Sequence, residues 1–318
     1  MTEIVPNRPN EITQPGAVAS LMDDWRRSLQ LRVAAGELAE NTAAAYLRGA
    51  GKFITWCNSG GVQMVDPDIL RAWKADLLGS GKKPATVNAW FSGLRALYAW
   101  AVENHRLSYN PAAEVKGASR KGTGKKHARE SLTDLEVRRL LKQARANPRD
   151  LAWLSLMLYT AVRTVEVCRA DLGDLKTEGG RLVLYVRGKG HREADELAVI
   201  ADKTAQNALY DWLAIRGQKP GPLFTSQSDR NRGGRLSLRT LRAIWLRYKQ
   251  AAGITGNKTL HSLRHTAITK VIVESGSIQK AQSVARHKSV DTTMIYFHEV
   301  DRLANPGEAF INYGEELE

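Results

Sequence analysis

A histidine and a tyrosine stand nine positions apart in ARHKSVDTTMIYFHEV, residues 285–300. A tyrosine phenol is a nucleophile once it loses its proton, although its unperturbed pKa is about 10. A histidine can hold or donate a proton near neutral pH. The segment alone leaves two interpretations open, because Tyr296 could react beside His287 or could simply pack as a half-buried aromatic.

Four upstream residues have side chains that suit the chemistry of a phosphate. Arg163 begins a predicted helix in TAVRTVEV, and Lys189 lies at a glycine-flanked hairpin tip in VRGKGHRE. His261 and Arg264, in LHSLRHT, are one helical turn apart and are predicted to share a face. A guanidinium is permanently charged and fork-shaped, which suits phosphate oxygens. Each of these residues alone has an ordinary explanation as a solvated or packed side chain.

The overall charge favours a polyanionic partner. The 318 residues include 47 Lys and Arg against 33 Asp and Glu, a formal charge of +14 with a pI near 9.8. Such a surplus binds phosphates with release of condensed counterions. No basic amphipathic helix stands out as a membrane anchor. We therefore expect nucleic acid, not a membrane, as the partner.

The cysteines and the apolar stretches bear on where the protein acts. Cys57 and Cys168 are far apart and form neither a disulfide framework nor a C-x-x-C metal site. The N-terminal residues lack a signal-peptide core, and no stretch is long and apolar enough to span a bilayer. These features predict a cytoplasmic protein in a reducing interior.

Composition and periodicity divide the chain into five segments. Residues 1–15 are predicted to be a flexible leader, and 16–112 a helical domain with apolar side chains at helical spacing. Residues 113–130 are basic, glycine-containing and nearly devoid of apolar side chains, which predicts an extended interdomain linker. Residues 131–300 form a second domain, and 301–318 a tail.

The second domain is predicted to be mostly helical with a small antiparallel β-hairpin. The strands are expected at 181–187 and 195–200. Helices are expected around 202–216, 237–252, 260–275 and 277–286. The polar, β-branched stretch between His287 and Tyr296 carries no helix or strand prediction.

Basic side chains outside these motifs are candidates for contact with a phosphate backbone. They lie between the apolar positions of the first domain and along the linker, and comprise Lys52, Lys82, Lys83, Arg95, Lys121, Lys125 and Lys126.

Taken together and in this order, the motifs resemble the tyrosine recombinase family, the phage-integrase and Xer-like enzymes. The likeness is carried by TAVRTVEV, VRGKGHRE, HSLRHTAIT, ARHKSVDTTMIYFH and the N-terminal ATVNAWFSGLRALYAWAVENHRLSYNPAAEVKG, and it extends over roughly residues 20–300. The resemblance implies a two-domain clamp on DNA, with a helical core-binding domain followed by a catalytic domain.

The resemblance also implies roles for individual residues. The phenolate of Tyr296 would attack a DNA phosphodiester, giving a 3′-phosphotyrosyl bond and a free 5′-hydroxyl. Arg163 and Arg264 would clamp the non-bridging oxygens through the transition state. Lys189 would protonate the leaving 5′-oxygen, and His261 would take or position the phenolic proton.

Two further residues have supporting roles by the same resemblance. His287 would donate a hydrogen bond to the phosphate, and Glu166 would support Arg163 from one turn further along the helix. The reaction requires neither a metal nor a cofactor, because the phosphotyrosyl bond keeps the energy of the phosphodiester and the arginines replace Mg²⁺.

The chain departs from the family pattern at two positions. Glycine is common two residues before the first arginine, where this chain has Ala161, and just before the second histidine, where it has Arg286. His265 and His298 are expected to be structural neighbours of the site. Tyr313, in the tail, is a weaker candidate for the nucleophile.

The expected partner is a double-stranded recombination site, bound by a dimer and paired in a homotetramer, with accessory or directionality proteins possible in addition. The apolar residues 309–311 of the tail suit docking on a neighbouring subunit. A type IB topoisomerase-like relaxase, acting as a monomer, is the alternative enzyme. A non-catalytic DNA-binding relative is the alternative outside enzymes.

Overall fold

The computed structural model describes residues 15–62, 65–119, 130–188 and 194–297. Several predictions fall outside these ranges, namely those on the leader, Lys121, Lys125, Lys126, Lys189, His298, Tyr313 and the tail 301–318. The chain divides into two compact units, Met1–Lys125 and Lys126–Glu318. No helix in the described ranges has both the length and the apolar character needed to cross a membrane.

The described part of the first unit contains four helices, α1 (Pro15–Ala34), α2 (Glu40–Ser59), α3 (Pro67–Gly79) and α4 (Pro84–Glu103). Local sequence explains their starts: the Asp66 side chain accepts the Ile69 N–H, and Pro67 and Pro84 lie in first turns, where no intrahelical donor is lost. The aromatic side chains of these helices meet in the core. The Trp73 ring lies 5.1 Å from those of both Phe53 and Phe91.

Helices α2 and α4 cross at two glycines. A Cβ atom on Gly49 would lie 2.5 Å from the Trp90 carbonyl oxygen, and one on Gly93 would lie closer still to the Tyr46 carbonyl oxygen. Real Cβ atoms do not approach backbone this closely. The two backbones are therefore in direct contact, and only glycine is compatible with this crossing.

The first part of the expected linker belongs to the first unit. Val115 and Ala118 are 1% and 7% exposed and join its core. Asn88 holds the backbone of Ala118 from both sides, accepting its N–H at 2.6 Å and donating to its carbonyl at 3.1 Å. The part of the expected linker up to Ala118 therefore packs with the first unit, because two apolar residues and one asparagine anchor a segment whose composition is otherwise polar.

The described part of the second unit contains a three-stranded antiparallel sheet and eight helices. The strands, in the order β1-β2-β3, are β1 (Leu175–Glu178), β2 (Arg181–Val186) and β3 (Glu196–Val199). The helices are α5 (Asp134–Ala144), α6 (Pro148–Thr160), α7 (Thr164–Arg169), α8 (Lys203–Arg216), α9 (Leu238–Ala251), α10 (Leu260–Ser275), α11 (Ile278–Ala285) and α12 (Val290–Phe297). The predicted mainly helical fold with a small antiparallel sheet is confirmed.

Strand β1 and helix α12 carried no prediction. Strand β1 is mostly exposed, so it shows no apolar alternation. Helix α12 contains several β-branched residues, which disfavour helix. It nevertheless forms with Thr293 and Tyr296 buried one turn apart on the same side. Tertiary packing outweighs local propensity there.

Replacing Gly49 by Ala should destabilise the first unit, because its methyl group would collide with the Trp90 carbonyl. We expect a loss of about 1–3 kcal/mol in the free energy of unfolding, measured by urea denaturation followed through tryptophan fluorescence. Gly51→Ala, in the same helix with open space around its Cβ, is the matched control. It should be neutral or stabilising by up to about 1 kcal/mol. Equal effects of the two changes would contradict the close crossing.

Candidate active site

The centre of the site is Arg264, a guanidinium that is almost fully buried at 1% exposed. It lies on α10 and donates hydrogen bonds to the carbonyl oxygens of Ala161 and Ala285. These two residues close the C-terminal ends of α6 and α11, where carbonyls lack helical partners and the helix dipole is negative. Two helix ends thus compensate the buried positive charge.

Both helix ends turn through left-handed backbone. Ala161 has φ 53° and Arg286 has φ 52°, in the region that favours glycine. These are the two positions at which the chain departs from the glycines common in the recombinase pattern. The backbone conformation that glycine would adopt with ease is retained here by residues that carry a side chain.

Arg163 is held at the start of α7 by Glu166. One oxygen of the Glu166 carboxylate accepts a hydrogen bond from the Arg163 guanidinium at 2.6 Å. The other accepts one from the Arg163 backbone N–H at 2.7 Å. The guanidinium also donates to the Arg286 carbonyl at 3.2 Å. Glu166, which the resemblance implies as a support for Arg163, is 2% exposed and contacts both the side chain and the backbone of that residue.

The pKa values of the buried charges follow from this arrangement. Burial, with the nearby charges of Arg163 and Arg286, lowers the pKa of Arg264 from 12.5 to about 10, which leaves it charged at neutral pH. Burial alone would raise the pKa of Glu166, but Arg286 and Arg163 outweigh it and hold that pKa below 4.5. The site therefore contains fixed positive charges around an ionised carboxylate.

Sequence reasoning treated Arg286 as a departure and did not consider Glu196. The Arg286 guanidinium binds Glu166 at 2.8 Å, and its Nε lies 3.4 Å from the Glu196 carboxylate of β3. Glu196 also lies 3.5 Å from the Arg163 guanidinium. No local pattern marks Glu196, because a charged residue at the start of a strand is usually solvated.

His287 follows Arg286 directly and contacts a buried hydroxyl. Its Nδ1 lies 3.0 Å from Thr293 Oγ1, on a residue that is fully buried. When Nδ1 accepts the hydroxyl hydrogen, the ring proton is on Nε2, which can then donate to a phosphate. Burial, followed by the charges of Arg264, Arg163 and Arg286, lowers the pKa of His287 from 6.5 to about 4.

Tyr296 is on α12 and packs among the same elements. Its ring centroid lies 5.9 Å from that of His287 and 4.4 Å from that of His265 on α10. It is 6% exposed and shares a small apolar cluster with Ala161 and Ala285, whose carbonyls bind Arg264. The histidine and the tyrosine with which the sequence analysis began are therefore neighbours, and His265 is the buried structural neighbour that was expected.

His261 lies one turn before Arg264 but is half-buried at the edge of an open cavity of about 490 Å³. The cavity is also lined by Thr164, which follows Arg163 directly, and by the basic residues Arg242 and Lys258. Across the described ranges, no group of three or more His, Cys, Asp or Glu side chains is arranged to hold a metal.

The basic residues predicted to contact DNA differ in their surroundings. Lys52, Lys82 and Lys83 are exposed on the first unit. Arg95 is half-buried, and its guanidinium donates to the carbonyls of Ala112 at 3.2 Å and Val115 at 2.7 Å. Arg95 therefore holds the segment after α4 in place, a role that its sequence position did not indicate.

A buried tyrosine, two guanidiniums and a neutral histidine are groups whose chemistry suits phosphoryl transfer to a phenol. Comparison with known proteins agrees with this class of site. Residues 130–302 match the phage integrase family, and residues 25–105 match the phage integrase N-terminal SAM-like domain. The chain belongs to the phage integrase family, and the resemblance found in its sequence is confirmed.

Similar proteins include tyrosine recombinase XerC of Corynebacterium efficiens, 32% identical over 234 residues that cover 72% of each chain. XerC of Corynebacterium glutamicum is 28% identical over 293 residues, covering 89% of each chain. Among solved structures, a lambda integrase tetramer bound to a Holliday junction shares the fold with a TM-score of 0.68 at 19% identity, over 91% of this chain and 78% of that one. The structure of XerH bound to difH in its pre-cleavage complex has a TM-score of 0.68 at 17% identity, over 93% of this chain and 97% of that one.

The low pKa of His287 predicts a pH dependence of stability. Between pH 6.5 and about 4, the unfolded chain binds a proton on this residue that the folded chain excludes. The free energy of unfolding should therefore fall as the pH drops through this window, and His287→Gln should flatten the slope. His105→Gln, at an exposed histidine of the first unit, is the matched control for the loss of a histidine. An identical pH slope in wild type and His287→Gln would contradict the lowered pKa.

Proposed function

We propose that Arg163, Lys189, His261, Arg264, His287 and Tyr296 carry out DNA strand transfer as the catalytic residues of a site-specific recombinase. The observation that supports this proposal most directly is the shared environment of Tyr296 on α12, His287 in the turn between α11 and α12, and Arg264 on α10, which meet around two helix ends. Such a convergence of nucleophile, hydrogen-bond donor and fixed charge is what transition-state stabilisation at a phosphate needs.

In the first step, the phenolic oxygen of Tyr296 attacks the phosphorus of one DNA strand while His261 receives the phenolic proton. The bond from phosphorus to the 5′-oxygen breaks, and Lys189 gives that oxygen a proton. Arg163 and Arg264 bind the non-bridging oxygens, and Nε2–H of His287 donates to one of them. The products are a 3′-phosphotyrosyl bond and a free 5′-hydroxyl.

In the second step, the 5′-hydroxyl of a partner strand attacks the phosphotyrosyl bond and releases Tyr296. The number of phosphoester bonds is unchanged, so exchange needs no nucleotide cofactor. Two duplexes must be paired for the strands to exchange. We infer a dimer on one site and a tetramer on two, supported by the lambda integrase dimer bound to a core site and the tetramer bound to a Holliday junction.

Other parts of the chain have proposed roles in the same assembly. Residues 16–119 form the core-binding domain, whose exposed lysines contact the phosphate backbone together with those of the linker. The tail 301–318 docks on a neighbouring subunit through its apolar residues 309–311. Because its substrate is DNA and its described cysteines are free and buried, the protein acts in the cytoplasm.

Covalent capture tests the function directly. Cells expressing the protein are lysed in denaturant, the protein is captured, and the DNA that remains attached is sequenced. We expect enrichment of one short site that is absent for Tyr296→Phe, because this variant has no phenolic oxygen to bond to phosphorus.

Other outcomes of the capture would contradict the proposal. Scattered attachment sites lost in Tyr296→Phe would indicate a topoisomerase-like relaxase. No attached DNA for either protein, with the same sites recovered from both after mild crosslinking, would indicate a binding protein without catalytic activity.

Salt dependence separates phosphate contacts from structural arginines. Replacing Lys82 or Lys83 by Gln should weaken binding to the captured site and reduce the slope of log K against log salt by about one per phosphate contact. Arg95→Gln should instead lower the stability of the first unit, because two carbonyls lose their donor. The slope is measured by fluorescence anisotropy of labelled DNA at salt concentrations from about 50 to about 200 mM. An unchanged slope for both lysine variants would exclude these contacts.

A further inference from the structure

Residue 286 is the position at which this site differs most from the recombinase pattern. Its backbone has φ 52°, which an L-residue adopts only with strain. Glycine would remove the strain, yet the chain places its longest basic side chain there. The contacts of that side chain must therefore compensate the backbone cost.

The Arg286 side chain is 7% exposed and turns inward. Its Nη2 binds Glu166 at 2.8 Å, on the carboxylate that also holds Arg163. Its Nη1 donates to the carbonyls of Val284 at 3.1 Å and Thr160 at 3.4 Å, near the ends of α11 and α6. One side chain thus links the two helix ends that enclose the site to the carboxylate that orients Arg163.

Glu196 adds a second negative charge beside these arginines. It lies 3.5 Å from the Arg163 guanidinium, on which the phosphate is expected to bind, and 3.4 Å from Arg286 Nε. Without Arg286, the two phosphate-binding arginines would face two carboxylates, Glu166 and Glu196, and the charges would cancel. With Arg286, the cluster keeps one net positive charge for an incoming phosphate.

We propose that Arg286 is a positioning residue for strand transfer, which fixes Glu166 and balances Glu196 so that Arg163 remains available to the phosphate. This inference rests on the recombinase function proposed above. Glu196 belongs to β3, whereas Arg286 precedes His287 directly. The pair therefore couples the edge of the sheet to the segment that carries the histidine and the nucleophile.

A double-mutant cycle tests the balance between the two residues. The probe is a nicked duplex carrying the site recovered by covalent capture, and the rate of phosphotyrosyl complex formation is measured at saturating DNA. Arg286→Gly keeps the backbone conformation and should lower the rate by about tenfold, within the range found for coupled neighbours. Adding Glu196→Gln should restore most of the loss, because Arg163 no longer faces an unbalanced carboxylate.

Two outcomes of the cycle would overturn the proposal. One is a rate for Arg286→Gly within twofold of wild type, a threshold of about the experimental spread in such cycles. The other is a change in rate on Glu196→Gln that is the same with and without Arg286, because additive effects would mean that the two residues are not coupled.

Matched variants separate charge from folding. Arg286→Lys and Arg286→Met each place an unbranched side chain at the same left-handed backbone position. The difference between their cleavage rates therefore reports the effect of the positive charge. We expect Lys to exceed Met by about tenfold, and equal rates would overturn the proposal. Arg232→Gly, at an exposed arginine paired with Asp229 in a loop, controls for the loss of an arginine and should cleave like wild type.

A readout that needs no DNA distinguishes failure of this inference from failure of the recombinase function. The charged and titratable groups that face His287 are Arg264, Arg163, Arg286 and Tyr296. In Arg286→Gly, the pKa of His287, followed by NMR, should rise only partway from its value of about 4, because burial, Arg264 and Arg163 each lower it more than Arg286 does. A pKa that stays in place would overturn the inference even if cleavage falls. If wild type forms no covalent complex but the pKa moves, the recombinase function fails while the electrostatic role of Arg286 stands.

Discussion

The hydrogen bonds from Arg264 to the carbonyls of Ala161 and Ala285 are the interaction on which the site depends. A buried guanidinium is costly unless every donor finds an acceptor. Here the acceptors are helix C-termini, which offer free carbonyls and a negative dipole at no additional cost in charge. Helices α6 and α11 end at this point and α10 passes it. The packing of these three helices therefore fixes the position of the Arg264 guanidinium.

The remaining site residues are arranged around this fixed charge. Glu166 forms ion pairs with Arg163 and Arg286. Burial, followed by the charges of the three arginines, lowers the pKa of His287 and keeps it neutral over the physiological range. A neutral histidine with Thr293 on Nδ1 can present a donor on Nε2 without adding a fourth positive charge to a crowded cluster. Tyr296, the proposed nucleophile, packs against the apolar side of the same helix ends, so one packing arrangement would serve both the proposed phosphate-binding groups and the proposed attacking group.

Much of this could be predicted from the sequence, for identifiable reasons. The helices and the hairpin strands followed from periodicity. The grouping of Arg163, Arg264, His287 and Tyr296 followed from the resemblance of their motifs to the tyrosine recombinase family. Other features depend on contacts in the folded protein that no local sequence pattern indicates. Glu196 and Thr293 acquire meaning only from their neighbours in space, and α12 forms against its local propensity.

Two interpretations illustrate how tertiary contacts override local composition. Arg95 looked like a surface cation but is a donor to two carbonyls within its own unit. Val115 and Ala118 lie in a stretch that is basic and glycine-containing, yet they complete the core of the first unit. Conversely, Ala161 and Arg286 stood out in sequence because glycine was expected there, and the left-handed backbone at both positions gives the physical reason for that expectation.

The most direct test of the central claim is a crystal structure of the Tyr296→Phe protein bound to an uncleaved duplex carrying its site. We expect the guanidiniums of Arg163 and Arg264 within about 3 Å of the non-bridging oxygens of a single phosphate. We also expect the Arg264 contacts to Ala161 and Ala285 to be retained and the ring at position 296 to face that phosphorus. A phosphate held instead in the cavity of Arg242 and Lys258, with Arg264 remaining out of its reach, would contradict the central role of this buried arginine.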